Sequence, residues 1–288
     1  MKPLLLILAL AWLPLGAQAR IFPELSPEAV VSLTIGPTPI TIEYHRPAVR
    51  GRSIWGALVP YGQVWVTGAN EATRIRFPDP VKVNGTPVPA GTYALFTIPG
   101  QDLWTVILSR RARQTGAWEY QAQEDQLRFE VRPKAVSFQE WLTIEMTPSS
   151  RQSAYVDLFW EKIRVSFLVE VNVDALVGTR LKKAMAKAEP GDWKLYSDAA
   201  EYLLEKDDDL NQALAWADKA IAMDENPTDL LVKARVLHQL GRLEPARHLL
   251  KKAKALGKAQ HSGPAVLGPI QAMLDLWKDV PPAPRKRP

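Results

Sequence analysis

The densest group of polar and aromatic side chains in this 288-residue sequence is Tyr61, Trp65, Thr67, Asn70 and Glu71, with Arg52 and the Tyr44-His45-Arg46 segment close by. An asparagine and a glutamate between two extended segments suit hydrogen bonding to a sugar or a peptide, and Trp65 suits stacking against it. The same stretch also reads as a tight turn. Gly68-Ala69-Asn70-Glu71 puts Asn70 where a left-handed backbone is wanted and leaves Glu71 to receive backbone N–H groups or Arg52. Residue types favour the turn, and Arg52, Tyr61, Trp65, Thr67, Asn70 and Glu71 stand beside it as the ligand-binding candidates.

Catalytic patterns are sparse. After Gly51 and Ser53 the next glycine is Gly56, so the spacing misses the nucleophile elbow G-x-S-x-G by one residue. Neither a zincin helix motif nor a phosphate-cradling glycine loop occurs. His45 is the only histidine in the first 237 residues, which excludes a multi-histidine metal site there. His45 with Glu43 or Glu71 suits an acid–base pair, although a lone strand histidine is more commonly a partly buried structural residue. Glu71, Asp79, Asp102 and Glu119 are free to meet as paired carboxylates of the glycosidase kind, but no spacing singles out a pair. With no cysteine, disulfides, thiolate catalysis and cysteine metal sites are excluded. No metal and no cofactor is expected.

Two hydrophobic rhythms must position these residues. Short extended segments are predicted at 30–35, 40–45, 73–77, 81–83, 92–98, 104–109, 127–131, 141–146, 155–160 and 164–171. Ile40-x-Ile42-x-Tyr44 alternates as a half-buried antiparallel strand does. Asn84-Gly85 between two such runs is a two-residue hairpin turn. Many short strands without an intervening helix predict an antiparallel β-sandwich of jelly-roll-like form. After Val173 the period lengthens to that of helices, with starts at Asp174, Asp192, Asn211, Thr228 and 243–245, stops at Gly191, Gly241 and Gly257, and a last helix near 269–277. Ala200 to Ala234, Ala213 to Ala246 and Ala220 to Ala253 recur at 34, 33 and 33 residues, the period of a tetratricopeptide-like helical hairpin. Trp193, Tyr196, Tyr202 and Trp216 are expected in its core, and Asp207-Asp208-Asp209 in a loop.

The ends and the charge set the setting. Lys2, the apolar run from Leu4 to Leu13 and Ala17-Gln18-Ala19 read as an export leader over 1–19, followed by a β-domain over 20–173, a helical domain over 174–280 and a basic tail over 281–288. A periplasmic or secreted protein is expected, with no transmembrane anchor. The formal charge of +5 comes from 36 basic against 31 acidic residues, interleaved along the chain, so no nucleic-acid partner is expected. Ten tryptophans are enough to fill a core and line a concave face as well.

From Gly51 to Gly62 the chain reads GRSIWGALVPYG, from Val64 to Thr73 VWVTGANEAT, from Pro89 to Pro99 PAGTYALFTIP and from Trp104 to Leu108 WTVIL. Through these motifs it resembles the bacterial domain of unknown function 2911 family over roughly 26–171. The resemblance implies export and a tetratricopeptide-like helical region after the β-domain; it implies no activity. Two positions depart from the family's pattern: Val66 stands where an arginine is usual, and Trp118-Glu119 where Trp-Gly is usual.

The reading is of a multidomain β plus α protein acting as a non-catalytic binding or interaction module. Its ligand would be a glycan or peptide at the Trp65–Glu71 region, and its helices would meet a protein partner. The alternative is a metal-independent hydrolase of glycans or cell-envelope material, with Glu71 and His45 as acid and base.

Overall fold

The computed structural model describes residues 23–278. The export leader and the basic tail expected from the sequence lie outside them. The chain divides into two compact units, with the break between Val173 and Asp174. The first is built from ten strands: β1 (Glu28–Ile35), β2 (Thr38–His45), β3 (Thr73–Phe77), β4 (Val81–Val83), β5 (Thr86–Val88), β6 (Gly91–Ile98), β7 (Trp104–Ser109), β8 (Asp125–Val131), β9 (Lys134–Ser150) and β10 (Ser153–Glu170). They form two antiparallel sheets, one ordered β1-β2-β3-β6-β7-β8 and the other β5-β4-β10-β9.

Alternation in the sequence becomes burial in the sheet. Ile40, Ile42, Ile75 and Phe77 are fully buried, and the residues between them turn to the other face. Each such side chain contributes about 1.5–3 kcal/mol over its exposed state. Residues on that second face are set by register: Thr41 lies opposite Arg76, Glu43 opposite Arg74, and Arg76 opposite Thr92. At the β4–β5 hairpin Val83 pairs with Thr86, and Asn84 and Gly85 both hold positive φ, 48° and 82°, as a type I′ turn demands.

The long strands depart from the sequence expectation. Segments 155–160 and 164–171 are one strand, β10, which passes through an irregularity at Glu161, φ 55°. Buried Asp157 spans that irregularity, accepting from Arg164 Nε at 3.0 Å and from the Ser166 hydroxyl. Segment 141–146 is the middle of the much longer β9. There β9 also pairs with residues 47–49, through Val49 N–H to Glu140 O at 2.8 Å and Leu142 N–H to Pro47 O at 2.9 Å.

The second unit holds α1 from its second residue onward (Val173–Met185), then α2 (Trp193–Lys206), α3 (Leu210–Met223), α4 (Pro227–Gln239), α5 (Leu243–Ala259) and α6 (Pro264–Leu276). Caps explain several starts: Asp209 accepts from Gln212 N–H at 3.0 Å, and Asn226 accepts from Asp229 N–H at 3.0 Å ahead of Pro227. Ala200, Ala213, Ala220, Ala234, Ala246 and Ala253 are all fully buried. Two expectations fail. Gly257 does not stop a helix; it is buried within α5, where a β-carbon would stand 2.8 Å from Leu267 Cδ2, so the glycine admits α6 closely. The last helix begins five residues before Pro269, at Pro264. Tyr196 is buried as expected, whereas Trp193, Tyr202 and Trp216 are half-buried. No helix among the described residues is long and apolar enough to cross a membrane.

A buried carboxyl ties α4 to α2. Asp229 accepts from the Ser197 hydroxyl and from Asn226 Nδ2 at 2.9 Å, and burial still pushes its pKa above the usual carboxylate range. The folded chain therefore keeps a proton that the unfolded chain releases. The stability this group contributes is complete at low pH and declines as pH rises through the raised value. Asp229→Asn never ionises, so its melting temperature should gain on the unmodified chain as pH rises above the unfolded aspartate's value of about 4. A difference between the two that is constant with pH would contradict this account.

Candidate functional site

Between β2 and β3 the chain runs through residues 46–72 without a strand or helix. Connections beyond about 12–15 residues without structure of their own are uncommon and are usually either functional or linkers. This one is held by aromatic rings. Trp55 meets Trp65, Trp104 and Trp160 edge-on at centroid distances of 5.8, 4.8 and 5.6 Å, and Trp65 stacks on Trp160 at 5.6 Å. Such pairs add about 0.5–1.5 kcal/mol each beyond area burial. Trp104 on β7 and Trp160 on β10 are fully buried, so the rings seat the connection against both sheets. Trp65 exchanges two backbone hydrogen bonds with Thr97 at 2.8 and 3.0 Å, and its indole N–H donates to Gly68 O at 2.9 Å. Its ring and its donor are thus committed internally. The Trp55 indole N–H is buried with no acceptor among the described residues.

The turn after Trp65 is tightly specified. Asn70 is left-handed at φ 59°, as the turn reading requires, and so is Thr67 at φ 57°, where a β-branched residue is strained. Hydrogen bonds hold Thr67 there: its hydroxyl meets that of Thr97 at 3.1 Å, and the Thr73 hydroxyl donates to its carbonyl at 2.9 Å. At Gly68 a β-carbon would stand 3.0 Å from His45 O, so this position serves close approach to β2.

The sequence candidates do not gather into one site. His45 Nε2 lies 3.4 Å from Glu24 Oε2, and Asn70 Nδ2 donates to the same oxygen at 3.3 Å. Glu24 thus joins His45 to Asn70, a residue that no spacing signal marks because it precedes the first strand. Glu71 faces Arg74 at 3.7 Å and does not bond Arg52, whose guanidinium instead donates to Val49 O at 3.0 Å and Ala48 O at 2.6 Å. Glu43 takes Arg74 Nε at 3.0 Å, so neither Glu43 nor Glu71 is the partner of His45. Tyr61 is 40% exposed, and its ring lies over Gly56, where a β-carbon would be 2.8 Å from Cε2. The carboxylates weighed as a catalytic pair have separate partners: Asp79 accepts from Thr38 at 2.7 Å, and Glu119 from Arg111 at 2.9 Å. The Thr115 hydroxyl and backbone N–H push the Glu119 pKa down, which favours its anion further and argues against a proton-donor role. Among the described residues no group of three or more His, Asp or Glu side chains is placed to hold a metal.

One cleft does lie beside the turn. Leu58, Pro60, Val64, Trp65, Asn70 and Trp118 line a space of about 260 Å³ whose walls carry no charged residue. Trp118 is 79% exposed and sits on a short 3₁₀ turn, Ala117–Glu119. Its ring lies back over Gly116, where a β-carbon would come within 2.0 Å of Cζ3.

The model of the family described as "Protein of unknown function (DUF2911)" matches residues 26–169, half of the chain. This chain belongs to the DUF2911 family. No curated protein and no solved structure matches it. The DUF2911 match takes in the tryptophan cluster, the Thr67 turn and Trp118, and it stops before α1. At Val66, where the family resemblance leads to an arginine, the side chain is buried with Ala72, Ala94, Phe96 and Ile107. At the second departure, Glu119 uses its carboxylate to brace the turn that presents Trp118.

Thr67 holds the DUF2911 turn together, so Thr67→Ala leaves the Thr97 hydroxyl short of its buried partner. The expected loss is about 1–3 kcal/mol, read as a lower urea midpoint with an unchanged slope. A midpoint equal to that of the unmodified chain would show that Thr67 contributes nothing to the turn.

Proposed function

We propose that this chain is an exported, non-catalytic binding module whose DUF2911 unit takes one neutral sugar ring in the Trp118 cleft. The carrying observation is the exposed Trp118 indole beside an uncharged cleft that also presents the amides of Asn70 and Gln63. An aromatic face with a few placed amides is the composition that sugar recognition uses, since C–H faces stack on the ring while hydroxyls take the hydrogen bonds. At about 260 Å³ the cleft is just below the roughly 300–1,000 Å³ of pockets for drug-sized ligands, which fits one ring better than an extended chain. A free glycan or an apolar peptide side chain is the ligand range the sequence leads to, and the charge-free walls favour the glycan. Tyr61, Trp65 and Thr67 act here as supports for the cleft.

In this reading the two sheets are a jelly-roll-like sandwich, supported by Trp104 of β7 and Trp160 of β10, one from each sheet, both packing on Trp55. The helices are tetratricopeptide-like hairpins serving protein contacts. Supporting this, α2 and α4 begin 34 residues apart, Trp193 to Pro227, α3 and α5 begin 33 apart, Leu210 to Leu243, and the matched alanines are all buried. Export to the periplasm or beyond rests on the leader in residues 1–19. The hydrolase reading relied on Glu71 and His45 acting together; their separate partners, Arg74 and Glu24, give it no support.

Calorimetric titration with neutral oligosaccharides tests the module. Trp118→Ala should weaken binding at least about tenfold while the melting temperature stays within about 1 °C, because so exposed a ring contributes little to stability. Absence of saturable binding by any neutral glycan, or an unaltered Trp118→Ala, would remove the reading.

A further inference from the structure

We propose a second ligand site on the six-stranded sheet, a cleft that binds a phosphate-bearing anion through Arg76 and Arg113. The cleft has a volume of about 550 Å³ and is lined by Thr41 and Glu43 of β2, Arg74 and Arg76 of β3, Thr92 of β6, and Ala112 and Arg113 of the segment after β7. It shares no lining residue with the Trp118 cleft. The strand residues fall on one face because they alternate with buried Ile40, Ile42, Ile75 and Tyr93.

Register divides the arginines into two kinds. Arg74 stands opposite Glu43, takes its carboxylate, and meets Glu71 as well, so its charge is answered within the protein. Arg76 stands opposite Thr41 on one side and Thr92 on the other, and neither threonine carries charge. Among the described residues, neither Arg76 nor Arg113 has a carboxylate within ion-pair distance. Three arginines against Glu43 leave the lining with an excess of two positive charges, which Glu71, outside the lining but 3.7 Å from Arg74, reduces to one. A concave, positively charged site concentrates anions from solution, and exposed guanidinium forks offer paired donors to oxyanions.

The choice of phosphate over carboxylate follows from how the donors arrive. A carboxylate presents two oxygens in one plane, which a single fork satisfies. A phosphate presents three acceptor oxygens in a tetrahedral arrangement, which suits donors from separate elements, here a guanidinium of β3, one from the segment after β7, and threonine hydroxyls of β2 and β6. The lining holds no aromatic ring on which a base could stack, so recognition stops at the phosphate.

Titration of inorganic pyrophosphate into the full chain tests the site. Arg76→Gln and Arg113→Gln should each weaken binding about tenfold, since a hydrogen-bonded charge pair is lost in each. Both side chains are exposed, so the melting temperature should not move. Arg151→Gln, at the exposed β9–β10 turn, and Trp118→Ala should bind pyrophosphate as the unmodified chain does. No saturable binding up to about 5 mM, curves unchanged by both cleft variants, or citrate bound as tightly through the same two arginines would overturn the assignment.

Discussion

Four indole rings decide whether the long connection between β2 and β3 has a structure at all. Residues 46–72 have few ladder hydrogen bonds of their own, yet Trp55 and Trp65 reach inward to Trp104 of β7 and Trp160 of β10. Once those rings are in place, three short pairings become available: residues 47–49 with β9, Trp55 with Val59, and Trp65 with Thr97. Large aromatic area buried at fixed geometry offsets the entropy of ordering the segment. The turn at Thr67 and the cleft beside Trp118 both hang from that arrangement.

Polar groups near the site follow a matching economy. Thr67, Thr73 and Thr97 are buried, and each hydroxyl has a partner in the turn. On the outer face, the difference between a satisfied and an open guanidinium is one register position: Glu43 lies across from Arg74, and Thr41 across from Arg76. Two arginines on one short strand therefore have different chemistry because of the residues their neighbour strand brings alongside. The same logic separates His45 from the glutamates near it in sequence, since the chain before β1 delivers Glu24 to it instead.

Periodicity made the local structure legible. Strands β3, β4 and β7 run over the residues that alternation marks, the Asn84-Gly85 turn closes as its residue types require, and the first five helices begin within one or two residues of their start signals. What alternation does not carry is adjacency. Strand faces can be read from one segment, but the pairing of Glu43 with Arg74, or of Trp65 with Thr97, depends on which strands become neighbours. The Trp118 cleft is assembled from residues 58–66 and 116–118, so neither stretch signals it alone. Gly257 misleads for a related reason: a glycine marks both helix ends and close helix contacts, and only packing tells them apart.

A segment pinned by ring contacts differs mechanically from one stitched into a ladder. Opening it would break its few backbone bonds to β6 and β9 while the strand-to-strand pairings within each sheet stay in place. Its outermost portion, residues 57–63, contributes no ring to the pin. That stretch is consequently the place where a relative's recognition surface could be transplanted while the anchoring indoles, and the scaffold beneath them, stay as they are.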